Sequence, residues 1–186
     1  MQRRSHARDD KTMIDKDALA RYMFSAADEI FATMLGLQII PGKVSAENPE
    51  TATDSERVVA LIGLAGSYNG TGIISCSPAL ACKLSSMMLA SDLRVVDGEV
   101  LDAIGELSNM VFGNVKTMLE QQVGQLGLSI PTVVFGRNFW TRSVGEQWIT
   151  VPVEVDECEI DLRMCLSQNH RSLRHTSFRQ HAPVTA

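Results

Sequence analysis

Glu106 and Asn109 stand at i and i+3 within LDAIGELSNMVFGNVKTMLE, a spacing that sets a carboxylate beside a carboxamide on one face of a helix. Such a pair offers a fixed negative charge next to a group that both donates and accepts hydrogen bonds. Asp102 precedes them by one turn, and Glu99, Gly113 and Lys116 continue the line in steps of three and four. Gly105 and Gly113 lie in the helix interior, where each costs about 1 kcal/mol relative to Ala, so a close backbone approach is expected there. On residue type alone the same face also serves plain solvation, and the glycines also serve helix packing.

Other chemistries lack their residues. Gly63, Gly66, Gly70 and Gly72 form neither G-x-G-x-x-G nor a P-loop and read as turn glycines. His6, His170, His175 and His181 fall in polar end segments that cannot build a metal shell or orient an imidazole. Cys76, Cys82, Cys158 and Cys165 include no C-x-x-C pair and read as reduced, mostly buried thiols. Net charge is −5, but residues 1–12 carry +2 and residues 169–186 carry +3, leaving −10 on residues 13–168. That acidic body argues against a nucleic-acid groove, which needs clustered Lys and Arg. The longest apolar stretch, residues 58–66, is too short to span a bilayer, and the charged N-terminal residues run into no apolar signal core, so a cytoplasmic protein without membrane insertion is expected.

The elements that must position the Glu–Asn pair follow from periodicity. Residues 1–12 and 169–186 are too polar to offset their ordering entropy and are expected to be mobile, leaving one domain over 13–168. Leu19, Met23, Ala26, Ala27, Ile30 and Met34 predict a first long helix over 15–35, stopped near Gly36. Strands over 57–64 and 71–75, with a Gly/Asn turn between them, predict a hairpin. Ser77-Pro78 opens a second helix, and Asp97 caps a third from about Gly98 to Gln122. Strand composition returns over 132–136, 147–155 and 159–166, the last two joined by Asp156-Glu157. Leu35-Gly36-Leu37 after the first helix and Leu126-Gly127-Leu128 after the third, each followed by a short extended piece and a Pro, suggest two related halves.

The assembled string resembles the CheC/CheX family of chemotaxis phosphatases, and most of all its CheX branch. The family pattern of Asp or Ser, three residues, Glu, two residues, Asn and a later Pro is matched by Asp102, Glu106, Asn109 and Pro131, with 21 residues before the Pro, about one fewer than the family spacing. The likeness extends over roughly residues 15–166. The first helix carries a damaged copy, Ser25 and Glu29 with Ala32 where Asn would stand, which is the CheX-like arrangement of one intact site. Glu29 is therefore expected to be a solvated or packing residue.

The resemblance implies an α+β fold with pseudo-twofold halves, its long helices packed on an antiparallel sheet. It implies hydrolysis of the phosphoaspartate of a CheY-like receiver domain, in chemotaxis or related two-component signalling. Asn109 would orient the attacking water and Glu106 would pair with the receiver's active-site lysine. Asp102, Gly105 and Gly113 are weaker docking positions. The Mg2+ would belong to the receiver, no cofactor would be bound by this chain, and a homodimer with sheets joined across subunits is expected. The alternatives are an adaptor that binds a receiver without catalysis and a structural part of a flagellar or signalling complex.

Overall fold

The computed structural model describes residues 14–46, 55–137 and 147–169. The expected mobile ends, apart from Asn169, lie outside the described residues, as do Trp140 and the four histidines. Asn169 belongs to the folded body: its backbone N–H donates to the Ser67 carbonyl at 2.9 Å and its amide to the Gly66 carbonyl at 3.1 Å.

Three helices pack on one face of a seven-stranded antiparallel sheet. Helix α1 (Lys16–Ile30) buries the predicted small and apolar stripe of Leu19, Met23, Ala26 and Ala27. It continues as one π-helical turn over Phe31–Leu35 that buries both Phe31 and Leu35 and ends at Gly36, whose φ of 66° is the left-handed cap conformation. The strands are β1 (Ile40–Pro41), β2 (Arg57–Gly66), β3 (Tyr68–Cys76), β4 (Leu126–Leu128), β5 (Thr132–Gly136), β6 (Trp148–Val155) and β7 (Cys158–Gln168). Alternate residues of the long strands, such as Val58, Ala60, Ile62 and Leu64 of β2, point into the helix-covered core. Each fully buried Leu or Ile there contributes about 1.5–3 kcal/mol of transfer free energy. Helix α2 (Pro78–Leu89) starts at Ser77, whose hydroxyl accepts from the Leu80 N–H at 3.3 Å. Helix α3 (Gly98–Val123) starts at Asp97, whose carboxylate accepts from the Val100 N–H at 3.1 Å. None of the four cysteines is in a disulfide, three of them are buried, and burial pushes the Cys76 thiol up to about 12.

The strand order β1-β6-β7-β3-β2-β4, with β5 also on β2, has a twofold pattern centred between β7 and β3. The β2–β3 hairpin answers β6–β7, and each long helix is followed by a short strand that pairs with the other half's hairpin: β1 with β6, and β4 with β2. The two Leu-Gly-Leu copies do different work within this plan. After α1 the copy is consumed in ending the helix, with the Leu37 N–H bonded back to the Phe31 carbonyl at 3.1 Å, and the strand comes later. After α3 the copy is itself β4, paired with Leu64–Gly66.

The first hairpin corrects the sequence reading. Its strands, Arg57–Gly66 and Tyr68–Cys76, run beyond the predicted 57–64 and 71–75, so Gly70 joins Gly63 and Gly72 inside paired strand and none of the three is a turn glycine. Their small size is used for close approach: a Cβ on Gly72 would lie 2.6 Å from the Phe112 ring of α3, and one on Gly70 would lie 2.3 Å from the Cys165 carbonyl oxygen. The second hairpin is tight as predicted, with Val155 opposite Cys158 and positive φ at Asp156 and Glu157.

Candidate functional site

Helix α3 fixes the Glu–Asn pair by burying the opposite side. Ile104, Leu107, Val111, Phe112, Val115 and Leu119 are buried in the core, and the helical period then turns Asp102, Glu106 and Asn109 outward, where all three are exposed. Gly113 and Lys116, expected further along the exposed line, are half-buried. Lys116 instead donates to Glu120 at 2.9 Å, and Glu120 accepts from the Leu126 N–H at 2.8 Å, tying the helix end to β4. The Leu126 N–H, followed by Lys116, holds the Glu120 carboxyl below its ordinary range.

Among the described residues, Asp102, Glu106 and Asn109 have no side-chain hydrogen bond or ion pair. Some other exposed acids of the fold are engaged, Asp156 with Lys83, Asp92 with Arg94 and Glu56 with Arg137, while others, such as Asp28, Glu99 and Glu154, are as open as this line. Glu29 of the damaged copy accepts from Asn114 of α3 at 3.2 Å, which makes it a link between α1 and α3. The intact line therefore presents two carboxylates and an amide with their hydrogen-bonding capacity turned to solvent.

A groove of about 470 Å³ runs beside this line, lined by Leu101, Asp102, Gly105 and Glu106 of α3, by Ile130 and Pro131 from the crossing between β4 and β5, and by Val133 of β5. Gly105 is buried against that crossing, where a Cβ would stand 3.4 Å from Val133 Cγ2 and 3.9 Å from Pro131 Cβ. The motif residues Asp102, Glu106 and Pro131 thus border one groove. At Gly113 a Cβ would meet nothing within 4 Å. Among the described residues no group of three or more His, Cys, Asp or Glu side chains could hold a metal ion, and no helix is long and apolar enough to cross a membrane.

The crossing is the part of the site that sequence reasoning missed. Ile130 and Val133 reach the groove because the chain returns to the same edge of β2, and the only signal was the Ser-Ile-Pro that ends the second Leu-Gly-Leu copy.

A model of the family described as chemotaxis phosphatase CheX matches residues 58–154, from β2 into β6 and across all of α3. This chain belongs to the CheX family. A relative named CheY-P phosphatase CheX, from Thermotoga maritima, is 33% identical over 141 residues, spanning 73% of this chain and 87% of that protein. The CheX fold is shared with a CheC-like superfamily protein from Shewanella sp. PV-4, at 25% identity and a TM-score of 0.73 over 83% of this chain and 99% of that one. It is shared too with the structure of a CheX–CheY–BeF3–Mg2+ complex from Borrelia burgdorferi, at 22% identity and a TM-score of 0.70 over 84% of this chain and all of that one.

Proposed function

We propose that this CheX-family phosphatase hydrolyses the phosphoaspartate of a CheY-like receiver with the exposed face of α3. The observation that carries this reading is that Asp102, Glu106 and Asn109 stand exposed on one face of α3, with no side-chain hydrogen bond or ion pair among the described residues, and that Asp102 and Glu106 border the groove beside it. The relative from Thermotoga named CheY-P phosphatase supports the substrate class.

A receiver phosphoaspartate already holds an electrophilic phosphorus and its own Mg2+, so the missing contribution is a water oriented in line with the leaving carboxylate. The Asn109 carboxamide can accept from that water and donate beside it. Water oxygen bonds to phosphorus, the phosphorus–oxygen bond to the aspartyl carboxylate breaks, and the water's proton leaves with inorganic phosphate or solvent. Glu106, one turn away, pairs with the receiver's lysine and sets the register of the two proteins. Asp102 adds docking charge, Gly113 keeps the helix surface low for the approaching backbone, and Gly105 acts on docking only through the groove, by letting Val133 and Pro131 lie close to α3. Among the described residues no further strand pairs with the sheet's outer edges, at β1 and at β4–β5, and these are where a second copy would join in a homodimer.

The roles separate kinetically. Asn109→Ala is expected to lower kcat by about 100-fold or more with receiver binding retained, whereas Glu106→Ala is expected to raise KM by roughly tenfold or more. Steady-state phosphate release with both variants is the test, and wild-type turnover in both excludes this face.

A further inference from the structure

Ile130 is 89% exposed, more than any other large apolar side chain among the described residues. A single exposed Ile is ordinary on a protein surface, but the backbone that carries this one is held in place. The Ser129 N–H donates to the Gly63 carbonyl at 2.9 Å, the Gly63 N–H donates to the Ser129 hydroxyl at 2.8 Å, and that hydroxyl donates to the Ile130 carbonyl at 2.9 Å. Pro131 then fixes the backbone on the other side before β5 resumes pairing at Thr132–Leu61. The crossing is thus a pinned break in the edge of β2 that holds an apolar side chain out over the groove containing Glu106. Because the backbone beneath it is already fixed, docking Ile130 costs little more than the rotamer freedom of one β-branched side chain, which suits an interface anchor.

We infer that Ile130 is a specificity-determining docking residue, inserting against a receiver surface in which an apolar side chain stands beside the lysine engaged by Glu106. The chemistry of the groove selects that partner. Its rim carries the carboxylates of Asp102 and Glu106 and, among the described residues, no basic side chain, which calls for a cation. Its walls are Leu101, Pro131 and Val133, which call for an apolar neighbour to that cation. Contact across the groove places the receiver on α3 and on the crossing at once, fixing the rotation of the partner about the Glu106 contact, which one helix face alone leaves free. This inference rests on the phosphatase reading and adds to it the surface that reads the partner.

The test measures binding and turnover separately, using the full chain and a phosphorylated or beryllofluoride-activated CheY-like receiver with Mg2+. Ile130→Ser is expected to raise Kd and KM roughly tenfold with kcat within about twofold of wild type. Ile130→Leu, which keeps the apolar volume, is expected to bind within about threefold of wild type. An unchanged thermal melt for both variants shows that the fold is intact, as expected for an exposed side chain. Wild-type Kd in Ile130→Ser overturns the inference, as does an equal loss in Ile130→Leu. A wild-type chain that binds the receiver but does not accelerate phosphate release overturns the phosphatase reading instead, while the Kd comparison still decides the role of Ile130.

Discussion

Glu106 and Asn109 differ in what their removal takes away: one a charge that holds a partner, the other an amide that holds a water. Gly113, one turn beyond Asn109, adds a test at the same scale. Because a Cβ there meets nothing within 4 Å, Gly113→Ala is expected to stabilise the protein by about 0.5–1 kcal/mol, read as a raised Tm. If the position keeps the surface low for docking, the same variant weakens receiver binding, and a stabilised variant with wild-type binding would remove Gly113 from the docking surface. The Glu–Asn spacing was legible in the sequence because the helical period decides which side chains share a face. Ile130 was not, because its exposure depends on the pairing of residues 63 and 129, far apart in the chain.

Among the elements, α3 carries the site, and its two ends set how firmly it is held. At its end Glu120 bridges Lys116 and the Leu126 N–H. The folded-state carboxyl is depressed below its ordinary value of 4.5, so the stabilisation is fully present above that value and is lost as pH falls through the lower folded-state value. Glu120→Gln is therefore expected to melt below wild type at neutral pH and to converge with it in acid, which thermal melts across pH would show. A difference that persists in acid would assign the loss to packing. In the middle of α3, Phe112 fills the space left by Gly72 of β3, and Gly72→Ala is expected to cost about 1–3 kcal/mol. Phe112→Leu in the same chain should recover part of that loss, as read by denaturant midpoints. The strand glycines show why the hairpin was only partly legible: Gly and Asn near a strand end carry the same local signal whether they turn the chain or make room for a ring from another element. Helix starts were legible at Ser77 and Asp97 because capping is decided within four residues.

Over the whole molecule, the two halves exchange their short strands, which is why the repeat was visible in sequence but the position of its strands was not. The Leu-Gly-Leu copies look alike, yet a π-helical turn consumes one while the other pairs with β2. The sheet's outer edges lead to an expected solution mass of twice the 20.4 kDa chain, measurable by sedimentation equilibrium, and a stable single-chain mass would contradict the homodimer. The charge of −10 on residues 13–168 suits a partner that brings a lysine to the site, and receiver affinity is expected to fall as salt rises. The central claim is tested most directly by phosphate release from a phosphorylated CheY-like receiver with Mg2+, comparing no addition, the wild-type chain and Asn109→Ala. Acceleration by the wild type and none by a variant that still binds is the predicted result, and equal acceleration by the two, or none by a wild type that binds, contradicts it.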